Sequence, residues 1–270
     1  MIRREAGNSS EDSAHWTLIS QTDHALLAGQ LAEYWGAGGM APIEPRRELL
    51  WAINHHDDGW RDWEMHPGVD PVHGRPRSFT EMELEDSVGI WTGSIKTSAQ
   101  SGPLETYLVA GHFRALAERA LVKGDSAGLQ TAYEFIESCE SRMKRSLEAW
   151  QHQNPAANTR EVAEQALAQL RLFDLLSLWF CCAPASQVET VETPLGPDLT
   201  LRPLDAQHVQ LSPWPLTVAG LDLEVPAVRI PRARYANGAE LAAAPSQSVI
   251  LRWTLQPDEH WQGQNVDGAT

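Results

Sequence analysis

Hydrophobic residues recur at helical spacing along the first two thirds of the chain, with polar residues on the opposite faces. The pattern predicts six helices, over about 22–35, 45–58, 81–98, 103–122, 128–150 and 158–182. A short strand is predicted at 16–19, directly before the first helix. A proline- and glycine-containing segment at 61–79 follows the second helix. Loops of that length in compact domains are usually functional or disordered, and the aromatic residues around it favour order.

After Pro184 the pattern changes to the alternation that is typical of β-strands. The clearest alternating segments lie at 199–204, 221–225 and 249–253. We therefore expect a mainly α fold, with a helical body at 20–183 and a β-rich tail at 187–256. The tail should form a small antiparallel sheet, which the strand at 16–19 joins and so ties the two ends of the chain together.

The domain organisation follows from the same pattern. We expect one domain at 16–256, between a disordered N-terminal tail at 1–15 and a C-terminal tail at 257–270. The alternative is that 187–256 forms an independent second domain. The short connection at 183–190 favours the single domain.

Charge and composition narrow the classes of function. The chain of 270 residues has 21 Lys and Arg against 36 Asp and Glu, a net charge of −15. Such an acidic surface repels the phosphate backbone, so we expect no nucleic-acid partner. No apolar segment is long enough to span a membrane, and the first residues lack the apolar core of a signal peptide. We expect a cytoplasmic protein with no membrane partner, and a homo-oligomer remains open.

Polar residues stand at inward-facing positions of four predicted helices. His24 shares a face with Leu27 and Leu31, and the pair His56-Asp57 continues the apolar stripe begun by Leu49. Two further polar positions, on later helices, are His112 and Asp174. Asp174 carries the strongest argument, because it interrupts an almost entirely apolar helix. A buried carboxylate costs several kcal/mol unless it is paired, capped or bound to a metal.

Each of these residues has an ordinary explanation when taken alone. A single histidine on an apolar face is usually a hydrogen-bonded core residue, and a buried aspartate is usually a salt-bridge or capping partner. Their succession on four helices favours a shared site. Imidazole and carboxylate ligands suit Fe, Mn, Zn or Ni, so the set predicts a divalent transition metal, as one or two ions.

The order of these residues resembles the signature of the HD-domain superfamily of metal-dependent phosphohydrolases. The similarity is closer to the DUF3891 family of bacterial proteins, over about 16–255, and its most specific part is His56-Asp57-Asp58-Gly59-Trp60. Further similar segments are Gln21–His24, Gly74–Phe79 and Phe173–Leu178. The HD resemblance implies an HD-domain-like helical bundle that holds a metal through His24, His56, Asp57 and Asp174. It makes His112 an additional ligand or a group that contacts the substrate.

Neighbouring residues complete the expected site. Asp58 is the candidate general base toward a metal-bound water, unless it is solvated or bonded to Arg61. Trp60 lines the pocket or anchors its loop. Arg75 and Arg77 hold an anion, or else pair with the acidic run at 81–86.

Three functions from different classes fit this site. The first is a metal-dependent hydrolase that acts on a small phosphorylated or otherwise anionic metabolite through a metal-activated water. The second is an HD-type non-haem iron or di-iron oxygenase. The third is a catalytically silent HD-like protein that binds a ligand or partner in its cleft.

Overall fold

The computed structural model describes residues 1–5, 7, 14–123, 128–183 and 186–258. All six predicted helices are present, with ends that differ from the expected ones by a few residues. They are α1 Gln21–Glu33, α2 Arg46–His55, α4 Leu84–Ser101, α5 Pro103–Lys123, α6 Leu129–Gln153 and α7 Arg160–Cys182. A short helix, α3 Arg61–Glu64, follows α2, and two 3-10 helices lie at Asp58–Trp60 and Phe79–Glu81.

Seven strands of the described residues form one mixed sheet. They are β1 Ile2–Arg4, β2 His15–Ile19, β3 Glu189–Val191, β4 Leu199–Pro203, β5 His208–Ser212, β6 Leu221–Pro231 and β7 Gln247–Pro257. Their order across the sheet is β1-β2-β6-β7-β5-β4-β3. The pair β5–β7 is parallel, with His208 opposite Thr254, and the other pairs are antiparallel. A further short helix, α8 Gly238–Ala242, lies between β6 and β7.

The predicted fold class is wrong. The chain is about 52% helix with a curled, mixed seven-stranded sheet that makes up about 19% of it, rather than an HD-like helical bundle with a small antiparallel sheet at its C-terminal end. Alternation along a strand shows which faces are buried, but it does not show which strands become neighbours. The parallel pairing of β5 with β7 is therefore absent from the sequence pattern.

Of the two predictions for the N-terminal residues, the strand is confirmed and the disordered tail is partly wrong. The predicted strand at 16–19 is confirmed as part of β2, and it pairs with the C-terminal region through Trp16 opposite Ile230. The disordered tail expected at 1–15 is wrong for Ile2–Arg4, which forms an edge strand against β2. Ile2 is 1% exposed, so one apolar side chain anchors a segment that is otherwise charged. Some of the expected tails lie outside the described residues. These are residues 6 and 8–13 at the N-terminal end and residues 259–270 of the C-terminal tail expected at 257–270.

One hydrophobic core joins the helices to the sheet. It includes Leu27 of α1, Phe180 of α7, and Val225 and Trp253 of the sheet. The rings of Phe180 and Trp253 lie 5.3 Å apart between their centroids. Helix α1 packs on β6 and also contacts α2 and α7, and α2, α5 and α7 contact one another. This packing brings the polar positions of four helices to one point. None of the described helices combines the length and apolar character needed to cross a membrane.

Candidate metal centre

The first turn of α1 fixes the position of His24. Ser20 is the N-cap, and its hydroxyl oxygen accepts a hydrogen bond from the backbone N–H of Asp23 at 2.9 Å. The Ser20 hydroxyl in turn donates to the Asp23 carboxylate at 2.5 Å. Asp23 is therefore part of the helix cap. His24 follows on the buried face and is 1% exposed.

The segment after α2 supplies the second and third residues of the site. The helix ends at His55, so His56 lies at its C-cap and Asp57 starts the turn into the 3-10 helix. Gly59 is not the helix cap that its position suggests. It packs against α4, where a Cβ atom would lie 2.1 Å from the Ile90 carbonyl oxygen, and its N–H donates to Ser94 Oγ at 2.9 Å. Glycine thus allows the turn to approach α4 closely.

Four side chains from three segments meet around one point. His24 Nε2 lies 3.0 Å from Asp57 Oδ2 and 3.5 Å from Asp174 Oδ1. His56 Nε2 lies 3.6 Å and 3.4 Å from the same two oxygens. Suitable ligand atoms of His24, His56 and Asp174 all lie within 4.8 Å of one another. His24, His56 and Asp174 therefore form a group that could hold a metal ion, and Asp57 lies beside this group in contact with both imidazoles.

The outer nitrogens of both imidazoles are held by hydrogen bonds. His56 Nδ1 lies 2.8 Å from the Ile53 carbonyl oxygen, which only accepts, so Nδ1 carries the proton and Nε2 faces the carboxylates. The Ser177 hydroxyl donates to the Asp174 carbonyl at 2.9 Å, so its oxygen can accept a hydrogen bond from His24 Nδ1 at 2.8 Å. Both Nε2 atoms then point inward, where either a proton or a metal ion can sit.

The charges of the cluster favour a cation at its centre. Burial favours the neutral form of His56, but the charges of Asp57 and Asp174 outweigh burial and raise its pKa to about 9. Burial opposes ionisation of both carboxyl groups, yet the neighbouring histidines hold the pKa values of Asp57 and Asp174 below their usual range. His56 Nε2 is buried, and its contacts to Asp57 and Asp174 are ion-pair distances that form no regular hydrogen bond among the described residues. The site therefore contains two carboxylates and two imidazole Nε2 atoms that face them.

His112 of α5 lies beside this group. Its ring centroid is 5.2 Å from that of His56, and it is 4% exposed. Its Nδ1 is buried and has no hydrogen-bond partner in the part of the chain that the structure describes. Burial lowers the pKa of His112 to about 4, so the ring is neutral at pH 7. The position agrees with the expectation that His112 lies in the same cluster.

The sequence of the chain matches one model of a known protein family. The family model described as "Protein of unknown function (DUF3891)" matches residues 7–232. The chain belongs to the DUF3891 family. Comparisons with curated proteins and with solved structures gave no significant match. The resemblance to DUF3891 is thus confirmed, whereas these comparisons give no support for the HD-domain superfamily.

In this DUF3891 protein, the expected general base, Asp58, binds side chains outside the cluster of His24, His56 and Asp174. The Asp58 carboxylate accepts hydrogen bonds from His55 Nδ1 at 3.0 Å and from the Arg61 guanidinium at 2.7 Å. Burial opposes ionisation, but these two partners lower its pKa. His55 also stacks on Trp51, with ring centroids 4.6 Å apart. Asp58 therefore stabilises the end of α2, which is the alternative that the sequence left open.

The three expected substrate-binding residues also have other partners. Trp60 is 3% exposed and packs edge-on against Trp63, so it anchors the loop. Arg75 pairs with Asp70 at 3.3 Å and with Glu81 at 2.6 Å. Arg77 lies 3.8 Å from Asp86. None of the contacts found among the described residues joins these side chains to His24, His56 or Asp174.

Ser177 is the residue of this DUF3891 site to which the sequence reading gave no role. It is fully buried and lies one turn after Asp174, on the same side of α7. The sequence did contain a signal for this role, because Ser177 is a polar residue on an apolar face three residues after Asp174. The hydroxyl satisfies a backbone carbonyl of its own helix and, at the same time, orients the imidazole of α1.

Proposed function

We propose that the protein is a metal-dependent hydrolase of small phosphorylated or otherwise anionic metabolites, with a divalent transition metal held by His24, His56, Asp57 and Asp174. The proposal includes a relationship to the metal centres of HD-domain enzymes. The observation that carries it is the inward orientation of two imidazole Nε2 atoms, fixed from outside by Ser177 and Ile53, against the buried carboxylate of Asp57 and the partly buried carboxylate of Asp174.

The donor set fits a divalent cation in charge and chemistry. Two carboxylates contribute −2, which one divalent ion balances. Without compensation, two carboxylates so close together in a protein interior repel each other and lose hydration, which is costly. The buried Nε2 of His56 makes only contacts of 3.4 Å and 3.6 Å to carboxylates among the described residues, and in the neutral imidazole a metal would satisfy this nitrogen. The mixed nitrogen and oxygen ligands suit Fe, Mn, Zn or Ni, as one or two ions.

The ion would supply Lewis-acid chemistry, which polarises a phosphoryl or carbonyl oxygen and lowers the pKa of water. The chain's own residues would position the reactants. His112 is neutral and has a buried free nitrogen beside His56, so it can either complete the ligand set or form a hydrogen bond to the substrate. Asp174 has the most exposed side chain of the four proposed ligands, at 16%, so we expect substrate to enter along α7.

Metal analysis tests the proposal most directly. The untagged protein, prepared without chelator or nickel resin, should contain about one divalent ion per chain at a site of this type. The matched pair of variants is His56→Ala and His55→Ala. These histidines are adjacent, but only His56 faces the cluster, whereas His55 pairs with Asp58. We expect His56→Ala to lose the metal and His55→Ala to retain it.

The loaded protein should hydrolyse simple phosphate esters, and His56→Ala should not. Wild-type protein that holds no divalent ion, and gains no thermal stability when Fe, Mn, Zn or Ni is added, would contradict the metal centre. Iron with oxygen consumption would favour the oxygenase alternative over the hydrolase. A bound metal with neither activity would favour the silent binding protein.

A further inference from the structure

A charged cavity, separate from the candidate metal centre, lies on the surface formed by α5, α6 and α7. Its volume is about 420 Å³. The polar residues that line it are Tyr107, Arg114, Glu140, Lys144, Arg160, Glu164 and Arg171. Four cations and two carboxylates give this lining a net charge of +2, in a chain whose overall charge is −15. A local excess of positive charge attracts anions even when the protein as a whole is acidic.

The two carboxylates in the lining already have partners. Glu140 lies 3.3 Å from the Arg114 guanidinium, and Glu164 lies 3.7 Å from that of Arg160. Arg114 also lies 3.5 Å from Glu118, outside the lining. These pairs neutralise Arg114 and Arg160. Lys144 and Arg171 remain without a carboxylate within 4 Å among the described residues.

Arg171 is the most unusual of these cations. Its Nη2 donates to the Gly111 carbonyl oxygen at 2.6 Å, and its buried Nε has no hydrogen-bond partner among the described residues. Burial lowers its pKa, the nearby charges of Arg114 and Arg119 lower it further, and the charge of Glu118 opposes this shift. A partly buried guanidinium between like charges, with only a neutral partner, is destabilised unless an anion joins it. Guanidinium groups bind phosphate and carboxylate through paired hydrogen bonds.

Tyr107 adds a neutral donor to the same cavity. The residue is 4% exposed and lines the cavity. Burial raises the pKa of Tyr107, so the hydroxyl keeps its proton and can donate to an anion.

We propose that this cavity is a binding site for a small phosphate-bearing ligand, held by Arg171, Lys144 and Tyr107. The volume suits a small metabolite, since ligand sites commonly enclose about 300–1,000 Å³. The site is separate from the metal centre and does not depend on it. Its ligand would be either a substrate or an effector that carries a phosphate group.

The position of Arg171 connects the cavity to the metal centre. Arg171 lies three residues before Asp174 on α7, and the carbonyl that it binds belongs to Gly111, the neighbour of His112. A Cβ on Gly111 would lie 2.6 Å from Leu167 of α7, so α5 and α7 are closely packed there. A ligand that pulls Arg171 toward the cavity therefore acts on a contact beside the metal cluster.

Calorimetric titration of metal-free protein with inorganic phosphate and with pyrophosphate tests the proposal at low ionic strength, where charge interactions are least screened. The His56→Ala variant provides a second background in which phosphate cannot bind through a metal. We expect saturable binding in both. Arg171→Met should weaken binding by about tenfold or more, because it removes a charge-assisted hydrogen bond. Lys144→Met and Tyr107→Phe should each weaken it by about threefold.

Arg145→Met is the matched control. Arg145 is an exposed cation on α6, next to Lys144, and it does not line the cavity. It should leave phosphate affinity unchanged. If Arg171→Met fails to fold, Arg171→Lys replaces it, since lysine keeps the charge but loses the paired hydrogen bonds. No saturable binding by wild type, or equal weakening by Arg145→Met and the cavity variants, would overturn the site without affecting the proposed metal centre.

Discussion

His24 Nδ1 lies 2.8 Å from Ser177 Oγ, although the two residues are 153 positions apart in the chain. This hydrogen bond joins the first and last long helices of the described chain and turns His24 Nε2 toward Asp57 and Asp174. Ser177 therefore orients the imidazole of a proposed metal ligand.

Replacing Ser177 with Ala should reduce metal affinity by about 10–100-fold, the range typical of residues that orient metal ligands. Ser98→Ala is the matched control, because Ser98 is also fully buried and also donates to a carbonyl three residues earlier in its helix. Competition with a coloured chelator measures the affinity of each variant. Equal metal affinity in Ser177→Ala and wild type would contradict the orienting role.

Asp174 and Asp58 should differ in their roles. Asp174→Ala removes a proposed ligand and leaves the buried imidazoles of His24 and His56 without one charge partner, so we expect loss of metal and a stability loss of about 2–4 kcal/mol. Asp58→Ala removes only the contacts to His55 and Arg61, so metal content should stay unchanged and stability should fall by about 1 kcal/mol or less. Metal content and thermal unfolding are measured on both. Equal metal loss in the two variants would remove the distinction.

Gly59→Ala should destabilise the protein strongly, by about 2–4 kcal/mol, because the added Cβ meets backbone rather than a flexible side chain. It would lie 2.1 Å from Ile90 O and 2.5 Å from the Ser94 N atom. Gly89→Ala is the control: its Cβ meets nothing within 4 Å, and alanine in a helix interior should add up to about 1 kcal/mol. Urea unfolding of the two variants checks the contrast, and similar effects would argue against close packing at Gly59.

The pairing of Arg3 with Glu81 should make part of the stability depend on pH. The two side chains form paired hydrogen bonds of 2.8 Å each, and the Arg3 contact lowers the pKa of Glu81 from 4.5 to about 2. Because the folded pKa is below the unfolded one, this stabilisation is complete above about pH 4.5 and disappears as the pH falls toward 2.

Glu81→Gln should therefore cost about 1 kcal/mol at pH 7, and the difference from wild type should shrink between pH 4.5 and 2. Urea unfolding at several pH values in this range measures it. Glu85→Gln, on an exposed acid of the same run, should show no such trend. A wild-type-to-variant difference that is independent of pH would refute the assignment.

The helices and the inward positions of His24, His56, Asp57, His112 and Asp174 could be predicted from the sequence. Helical spacing is local information: residues three or four apart share a face, and a helix buries the face that is apolar. Asp174 stood out for the same reason, because a carboxylate on an apolar helix needs a partner.

The predictions that were wrong depended on contacts that helical spacing does not specify. Asp58, Arg75 and Arg77 had the right chemistry for a site, but each found its counter-charge nearby, and a sequence does not show which of several charged neighbours a long side chain will reach. The strand at Ile2–Arg4 depends on β2 and on Glu81, and its three residues are too few to show alternation.

The sequence by itself thus determined where the helices lie, which of their faces are buried, and which buried polar residues require partners, because these depend on spacing within a few turns. Only the tertiary structure decided the partners: Ser177 for His24, Gly111 for Arg171, and β7 as the parallel neighbour of β5. Such contacts join segments that are tens to hundreds of residues apart. They are fixed by the shape of the shared core, which no local pattern encodes.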